Sequence, residues 1–209
     1  MCGRFMLDSD IEDILRQYKI LKREVDDYKK GDIYPSQNIP IVIDDNDRTL
    51  KSAKWGFTLG GKSKLVINAR CESIVDKPMF KNSFQNARCI IPANLFYEWK
   101  EEENKNKVKH KIFFMEKSII SLAGIFKFLP NNMGDKELSF VLLTTKANTH
   151  MQEIHSRMPL MIENDAFDYW LDDNTSIDII EEIVKSNEGH HLIIERNNKD
   201  QAVEQIRLF

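Results

Sequence analysis

A chain of 209 residues with 42% hydrophobic content holds enough apolar material for one full core and leaves little for a second. Its 30 basic and 33 acidic residues give a formal net charge of −3. That excludes the molecule-wide basic field of a general nucleic-acid binder, so any anion site must be local.

The cysteines, Cys2, Cys71 and Cys89, form no CxxC pair, and an odd count of 3 argues against a disulfide framework. A reducing cytoplasm is the expected compartment. No apolar run approaches the ~18 residues of a spanning helix, and Arg4, Asp8 and Asp10 interrupt the N-terminal stretch, so neither a signal peptide nor a membrane partner is expected. No cysteine–histidine cluster has metal-ligand spacing: His150 and His155 lack the HExxH pattern, and Asp44 to Asp47 lacks the glycine and terminal glutamate of a calcium loop. Neither metal nor cofactor is expected.

The chain opens on Met1-Cys2-Gly3-Arg4. Aminopeptidases remove an initiator methionine that precedes a small residue, which would leave Cys2 with its α-amine and thiol on one carbon. The amine titrates at about 7.7–8.0 and the thiol at about 8.5, so both reach nucleophilic forms near neutral pH. Such a 1,2-aminothiol condenses with an aldehyde as an imine and closes through sulfur to a thiazolidine. Taken alone, Cys2 reads more readily as merely a small second residue than as a nucleophile.

Ile11, Ile14, Leu15 and Tyr18 recur at helical spacing behind Asp8 or Ser9 as a cap. A charged connector, Lys22 to Asp32, and a turn or extended segment, Tyr34-Pro35-Ser36-Gln37, lead to an apolar strand at Ile39 to Ile43. Asp44 to Asp47 then turns the chain into a second strand at Arg48 to Trp55. Leu65-Val66-Ile67 reads as a buried strand that delivers Asn68-Ala69-Arg70 at its end, and Glu72 to Phe84 as short helix and turn around Pro78.

Arg88 to Trp99 is an apolar, aromatic stretch with a single carboxylate, Glu98, inside it. As a strand it places Phe96, Glu98 and Lys100 on one face and Leu95, Tyr97 and Trp99 on the other. Among aromatics the carboxyl is expected to titrate high, as suits a general acid or base; the alternative is a solvated or arginine-paired Glu98. Lys100 to Lys107 reads as a solvated hairpin loop. Strands are expected at His110 to Met115, Ile119 to Phe126 and Leu138 to Thr145, with a turn at Asn131 to Gly134, and a short helix near Ala147 to Glu153. His155 and Arg157 precede Pro159 and fall on a constrained loop. Amphipathic helices at Glu163 to Leu171 and Thr175 to Ser186 are expected to bury Phe167, Trp170, Leu171, Ile179, Ile180 and Ile183, and His190-His191 enters a strand at Leu192 to Glu195, followed by a last strand at Val203 to Leu208. The expected fold is α+β: a single compact domain over 1–209 with a mixed, mainly antiparallel, barrel-like β core, short peripheral helices and a C-terminal helical segment.

Separated elements contribute reactive or anion-binding types, Cys2 with Arg4, Asn68 with Arg70, Glu98, and His155 with Arg157, within Met1 to Arg4, Ile67 to Arg70 after Trp55-Gly56, Arg88 to Trp99 and, after Thr144 to Ala147, His155 to Pro159. In this order they match MCGR, WG, INAR, RCxIPAxxFYEW, TTxA and HxRMP, and the combination resembles the SOS response-associated peptidase (SRAP) family. The resemblance implies capture of the ring-opened aldehyde of an abasic site in single-stranded DNA as a thiazolidine. Cys2 would be the nucleophile, Asn68 would orient the amine or intermediate, and Glu98 and His155 would handle protons. Arg4, Arg70 and Arg157 would hold phosphates, since the guanidinium fork binds oxygens bidentately. Pro35 would also touch DNA, and Trp55 would either stack on a base or pack in the core. A monomer is expected, nucleoid-associated when bound to DNA. Two departures stand out: Thr58-Leu59-Gly60-Gly61 lacks the second tryptophan usual after WG, and Gly31-Asp32-Ile33-Tyr34-Pro35 replaces YNxAP, setting an acid among the expected phosphates.

Three other activities use the same residues. Cys2 could attack an amide as an N-terminal-nucleophile thiol hydrolase, including its own bond to Met1. An imine at an abasic site could release the strand by β-elimination, as a lyase does. The polar residues could also bind single strands without covalent chemistry.

Overall fold

β-Branched and aromatic residues dominate the chain between its turn signals, and a computed structural model describing residues 2–59, 62–103, 105–131, 134–186 and 192–197 is accordingly rich in strands. The N-terminal third contains β1 (Phe5–Leu7), α1 (Ile11–Gln17), β2 (Lys22–Arg23), β3 (Gly31–Ile33), β4 (Asn38–Asp45), β5 (Asp47–Trp55), β6 (Phe57–Leu59), β7 (Lys62–Val66) and β8 (Asn68–Arg70). A 3-10 turn at Cys71–Ser73 and α2 (Pro78–Asn86) lead to β9 (Arg88–Ala93), β10 (Leu95–Glu101), β11 (Lys107–Phe113), β12 (Ile120–Pro130), β13 (Lys136–Lys146) and β14 (Arg157–Pro159). A second 3-10 turn at Asn164–Ala166, α3 (Phe167–Leu171), α4 (Ile177–Lys185) and β15 (Ile193–Arg196) complete the described elements.

Strands β13, β12, β9, β4 and β5 pair in that order, and a parallel β13–β5 pairing closes them into a five-stranded barrel. The α+β, barrel-like expectation matches this architecture. Every residue of β9 is buried, because the barrel lies on one of its faces and other elements cover the opposite one. The second sheet has the order β15-β11-β10-β1-β3.

What reads in sequence as one strand from Arg88 to Trp99 is two strands in different sheets, separated by Asn94 alone. Asn94 fixes that corner. Its backbone N–H donates to Met6 O at 2.8 Å, its side-chain amide donates to Ser9 Oγ at 2.8 Å, and its Oδ1 accepts from Asp8 N–H at 2.6 Å. The same residue therefore moves the chain between sheets and ties down the N-terminal segment.

Trp55 belongs to the core and is fully buried, which corrects the alternative that it stacks on DNA. Its ring lies 5.0 Å from Phe5 and 6.3 Å from Phe140, and its indole N–H donates to Ile67 O at 3.0 Å. Gly56 follows at φ 121°, where a Cβ would meet the Leu65 side chain at 2.5 Å, so the Trp-Gly pair is a packing requirement. Leu65, Val66 and Ile67 are half-buried, less enclosed than their composition suggests. Thr149 to Ile154 form successive turns in place of the helix expected near Ala147 to Glu153, with Met151 N–H bonded to Asn148 Oδ1 at 3.1 Å; the asparagine side chain competes with helix continuation. The helix expected from Glu163 divides into the 3-10 turn and α3. His190, His191 and the strand expected at Val203 to Leu208 lie outside the described residues.

Candidate active site

The antiparallel pairing of β1 with β10 aligns Phe5 with Phe96, and Tyr97 N–H donates to Arg4 O at 3.0 Å. Cys2 to Arg4 thus run alongside Tyr97 to Trp99, and Glu98 comes beside Cys2. Glu98 is buried at 2% exposure, which removes the solvated alternative. Cys2 is fully buried, and its thiol lies 3.6 Å from Arg4 O as a weak donor. Burial first, and the Glu98 charge second, push that thiol up to about 12. A buried acid next to a carboxylate keeps its proton, because its anion would be neither solvated nor compensated.

Asn68 reaches the same point from β8, which is held parallel to β13 by the Leu142–Asn68 and Thr144–Arg70 register. Its Nδ2 donates to Cys2 O at 2.9 Å, and its Oδ1 is buried without a hydrogen-bond partner. An amide that holds the carbonyl of Cys2 with one end and leaves an acceptor open at the other is placed to take an N–H from the nitrogen of the same residue.

His155 stands at the end of the turns that precede β14. Its Nδ1 accepts the Arg157 backbone N–H at 2.9 Å, which leaves the neutral ring's proton on Nε2. The pairing of Lys146 with Arg157 attaches this segment to β13, the strand that also carries β8. Asn68 and His155 are therefore positioned by one strand, and Cys2 and Glu98 by the other sheet.

The arginines differ in their surroundings. Arg70 is exposed. Arg157 gives Nη1 to Glu72 at 2.7 Å and Nη2 to Thr144 O at 2.6 Å, and its Nε is buried with no partner. Burial, the largest single influence, raises the Glu72 carboxyl, but the bond from Arg157, a backbone hydrogen bond and the charges of Arg157 and Lys146 together hold it below its ordinary value. Arg4 donates Nη2 to Asp32, and its Cζ lies 4.7 Å from the Tyr34 ring centroid and 5.1 Å from that of Tyr97. Asp32 also accepts the Tyr97 hydroxyl at 2.7 Å. Burial opposes ionisation of Asp32, yet the bonds from Arg4 and Tyr97 and the charges of Arg4 and Lys109 hold its carboxyl low.

The acid that stands where the family pattern has asparagine is thus clamped to an arginine. Asp32, Tyr34, Tyr97 and Lys109, whose ammonium sits 4.3 Å from the Tyr97 centroid, form a charged and aromatic network that residue-by-residue reading does not assemble. The available signal was the acid itself: an aspartate beside several expected cations needs a cation as partner.

Pro35 is half-buried beside Tyr34, whereas Trp55 is in the core. A cavity of about 600 Å³ lies beside the Arg157–Glu72 pair, bordered by Cys71, Glu72, Thr145 and Asn148; Cys2, Asn68, Glu98 and His155 do not line it. Among the described residues no group of three or more His, Cys, Asp or Glu is arranged to hold a metal.

A sequence profile described as "SOS response associated peptidase (SRAP)" matches residues 1–200. The chain is 34% identical over 200 residues to "Abasic site processing protein YoaM" of Bacillus subtilis, a match spanning 88% of this chain and 85% of that one. It is 29% identical over 178 residues to "Abasic site processing protein YedK" of Escherichia coli, covering 82% and 79%. In fold it resembles a crystal structure of a protein from Bacteroides thetaiotaomicron, with a TM-score of 0.80 at 19% identity over 94% of this chain and 93% of that one. A profile spanning nearly the whole chain, together with relatives matched along most of their own length, makes the chain a member of the SOS response associated peptidase family.

Proposed function

We propose that this protein is an abasic-site processing enzyme that captures the ring-opened sugar aldehyde of single-stranded DNA on Cys2, after removal of Met1, as a thiazolidine. The observation that carries this reading is the Cys2–Asn68–Glu98 arrangement: a buried thiol beside a buried carboxylate, with an amide that holds the cysteine carbonyl and keeps an open acceptor. The relatives YoaM and YedK are abasic site processing proteins, which supports the substrate.

With Met1 attached, the nitrogen of Cys2 is an amide and cannot add to a carbonyl. Once freed, the amine donates to Asn68 Oδ1 and adds to the aldehyde carbon, forming a C–N bond. Loss of the hydroxyl as water gives the imine, with Glu98 and His155 moving the protons. Sulfur then adds to the same carbon, and the thiol proton ends on nitrogen. The balance is amine plus thiol plus aldehyde giving thiazolidine plus one water. A protonated imine brings positive charge next to Cys2, opposing both effects that hold the thiol proton, so imine formation precedes ring closure. Arg4, Arg70 and Arg157 hold the flanking phosphates, Arg4 and Arg157 through guanidinium groups already oriented by Asp32 and Glu72.

The test is intact mass before and after incubation with an abasic single-stranded oligonucleotide. The expected product is a denaturation-resistant adduct of protein lacking Met1, heavier by the oligonucleotide mass less one water. Cys2→Ser is expected to give only a borohydride-dependent adduct, because a thiazolidine needs sulfur. An adduct on protein that retains Met1, or unchanged yield from Cys2→Ala, sinks the reading. Strand scission in place of adduct would reassign the protein as a lyase.

A further inference from the structure

The buried Trp55 leaves no base-stacking group where the sequence places one, whereas Tyr34 is 43% exposed directly over the Arg4 guanidinium. We propose that the free face of Tyr34 is a nucleobase-stacking subsite for a base adjoining the abasic site. This rests on the abasic-site reading above.

Three features distinguish Tyr34 from an incidental surface aromatic. The first is its support. Arg4 covers one face of the ring, and Arg4 is itself fixed by Asp32 and by the Tyr97 ring. A ring backed by a clamped cation loses little freedom when a base lands on its other face, and the adjoining charge favours a phosphate beside that base.

The second is the backbone. Gln37 N–H bonds to Tyr34 O at 3.3 Å, Pro35 takes the second position of the turn, and Ser36 follows at φ 73°, the pattern of a type II turn. Ser36 N–H donates to Trp55 O at 2.8 Å, Trp55 N–H donates to Gln37 O at 2.9 Å, and Gln37 Oε1 accepts Tyr34 N–H at 2.8 Å. A non-glycine residue held in the left-handed region persists because the core strand over-determines it, and such positions gather at ligand sites.

The third is location. Arg4 is two residues from Cys2, so a base stacked on Tyr34 belongs to a nucleotide beside the captured sugar, and the intervening phosphate falls to Arg4.

The test uses the full chain and a single-stranded oligonucleotide with a central tetrahydrofuran spacer, an abasic analogue that cannot crosslink, with affinity read by anisotropy. In matched oligonucleotides a second spacer replaces the base on the 5′ or on the 3′ side. Tyr34→Ala is expected to weaken binding to the single-spacer strand about 10-fold, within the range for loss of one stacked base. Tyr34→Phe and Tyr34→Trp are expected to stay within about 2-fold of the parent, as retention of a π face requires.

On one side, and only one, the second spacer should cost the parent as much as Tyr34→Ala does, and combining the two should cost no more. Additive penalties on both sides, or a Tyr34→Ala variant that binds like the parent with an unchanged melting temperature, overturn the proposal. The abasic-site reading fails separately, by absence of the denaturation-resistant adduct with a natural abasic strand. A parent that crosslinks while the penalties add loses only the stacking subsite.

Discussion

In the proposed reaction, Asn68 would order chemistry at a neighbouring backbone. Its Nδ2 bond to Cys2 O and its open Oδ1 define the position that a free Cys2 amine must occupy. Asn68→Ala removes both and is expected to slow borohydride-trappable imine formation about 100-fold, while affinity for the tetrahydrofuran strand changes little; misplacement of a reacting group by an ångström has that scale of effect. Asn68→Asp separates the two ends. The carboxylate cannot donate to Cys2 O, and it favours the ammonium form of the amine. The pH–rate profile of imine formation should therefore move to higher pH, a displacement that Ala does not produce. A loss of DNA binding equal to the loss in rate would make Asn68 a binding residue instead. Asn68 was legible in sequence as a polar residue delivered by an apolar strand, and Glu98 as a carboxylate among aromatics. Which acid engages which arginine was not legible, because each pair joins residues remote in the chain: Arg4 to Asp32, and Arg157 to Glu72.

At the scale of elements, the same motif stretch carries both chemistry and architecture. Arg88, which opens β9, is 3% exposed and donates to Trp170 O at 2.7 Å, Phe84 O at 2.8 Å, Gln85 O at 2.6 Å and also to Asp172 O. It joins the C-terminal ends of α2 and α3, whose last carbonyls lack helical partners, so it acts as a shared cap. A lysine has one head group and cannot reach both helix ends. Arg88→Lys is expected to destabilise the fold by about 2–4 kcal/mol, seen as a lower urea midpoint, with chemistry at Cys2 unchanged in the folded fraction. An unaltered midpoint would remove the capping role. Ser36 is the opposite case: at φ 73° a glycine relieves the left-handed penalty, and Ser36→Gly is expected to stabilise by about 0.5–1 kcal/mol after the added unfolded-state entropy is subtracted. Arg88 reads in sequence as part of the motif that carries Glu98, and only the two helices meeting over it disclose a structural role. The division of Arg88 to Trp99 at Asn94 was similarly hidden, since a strand-like composition does not say which sheet each half joins.

For the whole molecule, alternation and turn residues specify the hairpins β4–β5 and β12–β13, whose partners adjoin in sequence. Barrel closure depends on the parallel contact of β5 with β13, where Trp55 opposes Phe140, and no local pattern encodes it. Cys2 lies in the same continuous core as Cys89, so the ionisation of both thiols is linked to global stability. Burial and the Glu98 charge hold the Cys2 thiol near 12 against an ordinary 9.0, and burial holds Cys89 well above 9.0. In the unfolded chain both thiols lose their protons above about pH 9, whereas in the folded chain Cys2 keeps its proton to about 12. The contribution of each thiol to stability is therefore complete below pH 9 and is lost as pH rises towards the folded value, at about 1.4 kcal/mol per pH unit. Melting temperature is expected to fall from pH 9 to pH 11, with a shallower fall in Cys2→Ala, which retains the parts of this dependence from Cys89 and from Cys71, whose thiol burial also pushes up to about 12. Parallel curves for parent and Cys2→Ala would mean that the Cys2 thiol ionises as freely in the folded protein as in the unfolded chain. A rapid reaction of native Cys2 with iodoacetamide at pH 8 would say the same, because a thiol held near 12 presents about 1,000-fold less thiolate there than one at 9.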